Sequence, residues 1–245
     1  MPRTARIQGA SGYYHIIGRG IGKQILFEEE TDYLFFLSTL DKYLKEESFQ
    51  IIAYCLMENH FHLLLKIDSG MDRIMKKILT RYAFYYNSKY ERTGHLFQDR
   101  YTSVPVENEI YLLSAVRYIH NNPAKAGICP ADQYRWSSWR SYTGWKGIVE
   151  TDLVLELLGG AQAFRDFSTL EDDTEHLEFR EKRRLNDQSA QEIIRNKLQL
   201  PSGTRLQEMD RESRDAALRM LKKEGLSVRQ IERLTGINRG IITRA

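Results

Sequence analysis

The stretch YCLMENHFHLLLK (residues 54–66) decides the fold prediction. It lies within two runs of β-forming residues, about 49–56 and 60–67, which only three residues separate. So short a connection is typical of a tight antiparallel turn. Because alternate side chains of a strand share one face, His60 and His62 are expected to project together. The stretch therefore predicts two antiparallel strands, the second of which presents a pair of imidazoles.

The flanking sequence supplies the remaining elements. Hydrophobic periodicity and turn residues predict a strand at 13–18, a helix at about 31–45 with Thr31 as its N-cap, a helix at 71–90, a strand at 101–106 and a helix at about 109–121. That last helix has to end by Asn122, because the residue before a proline avoids helical geometry. The order β-α-β-β-α-β-α is that of a ferredoxin-like split βαβ fold. We therefore predict an α+β domain in which helices cover one face of an antiparallel sheet.

Charge is distributed unevenly along the 245 residues, whose net charge is +3. Residues 1–148 carry 19 Lys and Arg against 15 Asp and Glu, residues 149–188 carry 5 against 11, and residues 189–245 carry 12 against 7. Two basic blocks thus flank an acidic one, which permits nucleic-acid binding without requiring it. We predict an α+β domain at 1–148, an acidic helical linker at 149–188 and a helical domain at 189–245.

Several classes of protein are disfavoured. No stretch approaches the roughly 18 consecutive apolar residues of a membrane span, and the first ten residues lack the apolar run of a signal peptide. A cytoplasmic protein without membrane contact is expected. Cys55 and Cys129 lie far apart with no CxxC spacing, so neither a disulfide framework nor a thiolate zinc site is predicted.

The two histidines alone are weak evidence for a metal site, because an HxH triplet more often holds hydrogen-bonded packing residues. A parallel pair can nevertheless supply two nitrogen ligands to a divalent metal. Tyr118 and Asn122 are four residues apart and so share one helix face. If that helix packs over the sheet, the Asn122 amide oxygen completes a two-histidine-plus-oxygen site beneath Tyr118. Otherwise Tyr118 is an amphipathic-helix tyrosine at the edge of the core.

Three sequence blocks together are more specific than the HxH triplet or the spacing of Tyr118 and Asn122 alone. They are YCLMENHFHLLLK (54–66), GHLFQDRYTSVPVE (94–107) and YLLSAVRYIHNNPAKAG (111–127). In order and spacing they resemble the signature blocks of the single-tyrosine HUH (IS200-like) transposases, and the branch they resemble most is the REP-associated tyrosine transposases. The resemblance covers roughly residues 10–130. It implies that Tyr118 is the nucleophile and that His60, His62 and Asn122 hold the metal.

The resemblance also implies an activity. Such enzymes are single-stranded DNA endonucleases and strand transferases that act at hairpin DNA through a 5′-phosphotyrosine. The implied cofactor is Mg²⁺ or Mn²⁺, whereas two imidazoles favour zinc, nickel or cobalt by ligand softness. A monomer that cleaves in cis and a homodimer that pairs the tyrosine of one subunit with the histidines of the other are both compatible with these residues.

One departure from the family pattern concerns the position two residues before the first histidine. It is usually proline, and here it is Glu58. A carboxylate there either alters the charge balance of a bound metal or faces solvent. His15 and His95 are left outside the ligand set, because a first-strand histidine is more often a packing residue.

Six basic residues are candidates for DNA contact. Arg19, Arg100 and Lys125 flank the signature blocks and are expected either to contact phosphates or to be solvated charges. The stretch LSVRQIERLTGINRGIITRA (226–245) predicts a helix-turn-helix, with its turn at Thr235-Gly236 and Asn238 as the next N-cap. Its arginines Arg229, Arg239 and Arg244 are expected to contact double-stranded DNA, and a helical bundle for oligomer contacts is the alternative.

Two further functions are compatible with the sequence. One is a catalytically inactive DNA-binding regulator on the same fold, against which the presence of His60, His62 and Tyr118 argues. The other is a zinc hydrolase, in which Tyr118 has no covalent role.

Overall fold

A computed structural model of the chain shows two compact units, each with its own core. The structure describes residues 9–98, 100–170, 187–224, 226 and 228–245. Most of the first unit is built on one sheet, and the second unit is helical. Of the described helices, none is both long enough and apolar enough to cross a membrane.

The sheet of the first unit has four antiparallel strands in the order β2-β3-β1-β4. The strands are β1 (Tyr13–Arg19), β2 (Gln50–Met57), β3 (His60–Lys66) and β4 (Thr102–Pro105). Helix α1 (Glu30–Glu46) joins β1 to β2, and helix α2 (Met71–Lys89) joins β3 to β4. The predicted split βαβ fold is confirmed, and β3 lies inside the sheet between β2 and β1.

Helices cover both faces of this sheet, so the prediction of helices on one face is wrong. Phe61, Leu63 and Leu65 of β3 pack in one core with α1 and α2. Leu64 packs in the other core with α3 (Glu109–His120). The reason is topological: α1 and α2 belong to crossovers of one hand and therefore share a face, whereas α3 follows the last strand and is free to pack on the other.

The N-cap of α1 differs from the prediction, whereas α3 ends before Asn122 as predicted. Glu29, not Thr31, is the N-cap of α1, and it forms a reciprocal capping box with Asp32. Helix α3 ends at His120, and a one-turn helix α4 (Asn122–Lys125) follows at once. Pro123 occupies the first turn of α4, where its missing N–H leaves no helical hydrogen bond unmade.

The first part of the predicted linker is packed into the first unit. Helices α5 (Asp152–Leu158) and α6 (Ala161–Ser168) add Val154 and Phe164, both fully buried, to the core that contains α3. The ring of Phe164 stacks on that of Tyr142, with centroids 4.5 Å apart. The acidic residues of α5 and α6 point outward. The net charge of the segment therefore gave no indication that Val154 and Phe164 are buried. Residues 171–186 of the predicted linker lie outside the described residues.

The described residues of the second unit form four α-helices around a small apolar core. They are α7 (Asp187–Leu198), α8 (Arg211–Lys223), α9 (Val228–Thr235) and α10 (Arg239–Arg244). Asn238 caps α10 as predicted, since its side chain accepts a hydrogen bond from the backbone N–H of Gly240. The turn before it uses Gly236 at φ +72°, a conformation that favours glycine. The sequence also predicts that Gly225 ends one helix and that Ser227 begins the next, and both residues lie outside the described residues.

Candidate active site

Two histidines of β3 lie side by side on the face of the sheet that α3 covers. The ring centroids of His60 and His62 are 5.1 Å apart, and the two rings are nearly perpendicular. His62 is 2% exposed, and His60 is half-buried at the start of the strand. The inner position of β3 fixes both backbones through hydrogen bonds on either side. The predicted pairing of the imidazoles is therefore a property of the sheet.

Each imidazole has a polar partner at its Nδ1 atom. His60 Nδ1 lies 2.7 Å from Asn59 Oδ1, and His62 Nδ1 lies 2.9 Å from His15 Nε2. A ring that donates its Nδ1–H in this way keeps a lone pair on Nε2. Such partners fix the tautomer and orientation that metal-binding histidines require.

Burial keeps these imidazoles neutral. It lowers the pKa of His60 to about 4, an effect to which the nearby charge of Arg19 adds and which the Asn122 side chain opposes. Burial also holds the pKa of His62 well below its ordinary value of 6.5, assisted by the charges of His15 and His60. Neutral imidazoles are the form that donates a lone pair to a metal. At neutral pH both rings are therefore available as ligands.

Tyr118 lies over this pair from α3. Its ring centroid is 5.7 Å from that of His62 and 5.8 Å from that of His15, and the tyrosine is only 5% exposed. Asn122, one turn later, donates its amide N–H to the Tyr118 carbonyl at 2.9 Å. Its side chain partly opposes the lowering of the His60 and His62 pKa values, which is the effect of an oxygen that accepts a hydrogen bond from an imidazole. The structure thus brings all four predicted core-site residues together.

His15 is the residue of this site that the sequence interpretation left out. It is fully buried on β1, and its ring stacks against that of His62 with centroids 5.1 Å apart. Burial lowers its pKa to about 4. A signal for it existed: in the predicted fold β1 pairs with β3, and strand alternation puts His15 on the histidine face. His95, the other histidine left out, is exposed in the loop before β4.

Comparison with known proteins agrees with this arrangement. Residues 10–122, which span the whole sheet and most of the site, match the family model described as "Transposase IS200 like". The match covers 113 of the 245 residues, and over them the chain is similar to IS200-like transposases. A comparison with curated proteins found no match.

Two solved structures are similar to the first unit of this chain. One is a REP-associated tyrosine transposase bound to a REP hairpin, with 17% sequence identity and a TM-score of 0.52 over 61% of this chain and 94% of that one. At this identity the likeness shows the fold. The other, from Deinococcus radiodurans R1 and named as a transposase, has 20% identity and covers 49% of this chain and 96% of that one. Its TM-score of 0.34 is too low to carry an argument.

The basic residues predicted around the candidate active site occupy two places. Arg19, at the end of β1, lies opposite His60 in the strand register, and Arg100 lies in the exposed segment that runs beside that end of the strand. Lys125, from α4, places its Nζ 4.4 Å from the centroid of the Tyr118 ring. Glu58 is exposed in the β2–β3 turn. Of the two alternatives for this carboxylate, the structure agrees with the one in which it faces solvent.

The arginines of the second unit are exposed on its last two helices. Arg229 lies on α9, and Arg239 and Arg244 lie on α10. Arg239 pairs with Glu232 of α9, and the Arg244 side chain donates to the Gly240 carbonyl at 2.9 Å. The described residues of this unit thus present cations beside a tight turn between two helices.

Proposed function

We propose that this chain is a metal-dependent endonuclease and strand transferase of single-stranded DNA that acts through Tyr118. The observation that carries the proposal is the position of the Tyr118 ring, 5.7 Å from that of His62 and one turn from Asn122. The similarity of residues 10–122 to IS200-like transposases supports a role in DNA processing. The solved structure with the same fold holds a REP hairpin, and we extend hairpin DNA to this chain as its substrate class.

The proposed cofactor is a divalent metal ion held by His60, His62 and Asn122. Within the described residues, no group of three or more His, Cys, Asp and Glu side chains is arranged to hold a metal, and we assign the third ligand position to an amide oxygen. The Asn122 amide oxygen suits this position, because its nitrogen is engaged by the Tyr118 carbonyl. When bound, Mg²⁺ or Mn²⁺ would neutralise charge that develops on the scissile phosphate.

The residues of the chain perform the remaining chemistry. The Tyr118 oxygen attacks phosphorus, the bond from phosphorus to the 3′ oxygen breaks, and the products are a 5′-phosphotyrosine and a free 3′-OH. Attack by a 3′-OH reverses this step, releases Tyr118 and joins two strands. Because the phosphotyrosine conserves the phosphodiester, no nucleotide cofactor is needed. The burial of Tyr118 keeps water, a competing nucleophile, away from this linkage.

Basic residues are proposed to position the DNA. Arg19 and Arg100, at the end of β1, are placed to contact phosphates that approach the histidine pair. Lys125 is placed to stabilise the Tyr118 phenolate, because its ammonium lies over the ring. We propose that Arg229, Arg239 and Arg244 contact double-stranded DNA as part of a helix-turn-helix. Charge removal at Arg229 should then weaken duplex binding and leave hairpin cleavage intact.

A covalent-adduct assay tests the proposed function. Incubation with a hairpin oligonucleotide that carries unpaired flanks and a 3′ label, together with Mn²⁺ or Mg²⁺, should give a protein–DNA species that resists denaturation. Tyr118→Phe should abolish it. Tyr111→Phe is the matched control, since this tyrosine lies two turns earlier on the same helix and should leave the adduct unchanged. Hairpin binding without any adduct would identify the chain as an inactive DNA-binding regulator and contradict the proposal.

A further inference from the structure

A concave surface lies on the first unit between α1 and α2, on the side of the sheet away from the candidate active site. It is a groove of about 1050 Å³. Phe35 and Tyr43 of α1 line it, together with residues of α2 from Arg73 to Lys89 that include Arg81 and Phe84. Helices α1 and α2 pack on the face of the sheet that carries Phe61, whereas the histidine pair and Tyr118 lie on the opposite face. The groove is therefore separate from the candidate active site.

The groove is strongly cationic. Five of the residues that line it are Lys or Arg, and none is acidic. Arg73 and Lys77 share Glu47, at 2.7 and 2.5 Å, and Lys89 pairs with the buried Asp32 at 2.7 Å. Lys76 and Arg81 are exposed, and within the described part of the chain neither forms an ion pair with a carboxylate. The lining thus keeps cations whose charge is not neutralised by the protein.

The cations extend along most of α2. Arg73, Lys77 and Arg81 follow one another at four-residue intervals, and Glu47 bridges the first two. Lys77 and Arg81 remain a like-charged pair at a spacing that disfavours a helix. From Arg73 to Lys89 the helix rises about 24 Å at 1.5 Å per residue. A cationic track of this length fits an extended polyanion.

Aromatic rings alternate with the cations. Phe84 is 74% exposed, although a phenylalanine of this size is ordinarily buried. The Phe35 and Tyr85 rings stack at 3.8 Å between centroids, and the Arg81 guanidinium lies 5.3 Å from the Phe35 ring. Aromatic faces beside a cationic track are the features that bind unpaired bases. A duplex, whose bases are stacked internally, would offer only phosphates to this surface.

We propose that the α1–α2 groove binds an unpaired nucleic-acid strand, with phosphates along the cations of α2 and a base stacked on Phe84. The proposal rests on the proposed function in one respect: a chain that processes single-stranded DNA has such a strand bound near the groove. Because the groove and Tyr118 lie on opposite faces of the sheet, the nucleotides in the groove are not those at the scissile phosphate. The groove instead holds single-stranded DNA that flanks the cleavage site.

Binding measurements on the full chain test the groove apart from cleavage. The probe is a fluorescent single-stranded 12-nucleotide oligonucleotide, titrated without divalent metal in a Tyr118→Phe background. The double variant Lys76→Ala/Arg81→Ala should weaken binding about tenfold and lower the slope of log affinity against log salt by about 1.4, that is, about 0.7 per lost phosphate contact. Phe84→Ser should weaken binding several-fold with little change in slope.

Matched controls identify the surface. Lys45→Ala removes an exposed lysine of α1 that pairs with Asp41 outside the groove, and Ile110→Ser removes an exposed apolar residue on α3, so both should bind the oligonucleotide normally. Photo-crosslinking with 5-iodouracil should label the tryptic peptide 82–89, which contains Phe84. Unchanged affinity in both groove variants, or a crosslink confined to other peptides, would overturn the proposal.

Two other outcomes are also decisive. Equal weakening of a fully paired duplex, with no effect of Phe84→Ser, would show a general phosphate surface and refute the unpaired strand. Competition by polyglutamate with no crosslink at the groove would indicate an acidic peptide instead. Adduct formation by the chain with native Tyr118 is scored separately, so that a failed cleavage assay with intact groove binding refutes the proposed function alone.

Discussion

The buried imidazole of His15 contacts His62, with 2.9 Å between His15 Nε2 and His62 Nδ1. For His62 to keep a lone pair on Nε2, its Nδ1 has to donate to His15, which leaves the His15 proton on its own Nδ1. That atom is buried, and within the described residues it has no hydrogen-bond partner. The contact thus fixes the His62 ring on β3 but leaves the buried His15 Nδ1–H on β1 without a hydrogen bond, which lowers stability.

We predict that His15→Ala weakens metal binding about 10- to 100-fold, the usual effect of removing a partner that orients a metal ligand. Isothermal titration with Mn²⁺ measures this without DNA or turnover. Tyr118→Phe, which leaves the histidines and their partners intact, should retain the native affinity. Equal affinity in His15→Ala and in the native chain would refute the orienting role, provided that circular dichroism shows both folded.

Lys125 provides a second test close to the nucleophile. Because its Nζ lies 4.4 Å from the Tyr118 ring centroid, Lys125→Ala should slow adduct formation about tenfold through a less stable phenolate. Lys125→Arg should retain most of the rate. Lys66→Ala removes a similar contact, 5.0 Å from the Tyr13 ring, and serves as the control that should leave the rate unchanged. A loss in both alanine variants would point to a general charge effect instead.

The stability of the first unit should fall with acid because of His120. Burial lowers the pKa of His120 to about 3 from 6.5. Below about pH 6.5 the unfolded chain binds a proton that the folded protein refuses until about pH 3, so the free energy of unfolding decreases as pH falls through this window. We expect about 2 kcal/mol of loss from this residue between pH 8 and pH 5.

Urea unfolding at the two pH values measures this effect through tryptophan fluorescence, since all three tryptophans lie in the first unit. His120→Gln should lower the pH dependence by that amount. Ser138→Ala removes the 2.7 Å hydrogen-bond partner of His120 but keeps the imidazole, so its pH dependence should resemble that of the native chain. The same pH dependence in His120→Gln would show that another group is responsible.

Asp32 is predicted to be the most sensitive charge outside the candidate site. It is fully buried, accepts the backbone N–H groups of Glu28 and Glu29 at 2.9 Å, and pairs with Lys89 at 2.7 Å. Burial acts to raise the pKa of Asp32, but these bonds hold it below its ordinary value. Asp32→Ala should cost about 3 kcal/mol of unfolding free energy, because it leaves a partly buried lysine and two N–H groups without their acceptor. Asp41→Ala, whose partner Lys45 is exposed, should cost less than about 1 kcal/mol by the same urea titration.

The sequence predicted the element order well because the apolar periodicity of each strand and helix is local. It failed on the second helical layer, although Leu63, Leu64 and Leu65 were a signal: three consecutive apolar residues in a strand indicate burial on both faces. It also failed on His15, because the contact joins residues 47 apart and becomes visible only when strand pairing is considered. The packed α5 and α6 were misread as linker because net charge reports the outer surface of a helix and not its buried face.

The inner position of β3 makes the histidine pair more rigid than the helix that carries Tyr118. The histidine pair belongs to a strand hydrogen-bonded on both sides, so its amide protons should exchange only when the whole sheet opens. Helix α3 has no such ladder and is joined to the sheet by side-chain packing. A phosphate can approach the nearly buried Tyr118 hydroxyl only if side chains or backbone move. We therefore expect α3 to move, while β3 and its two histidines stay in place.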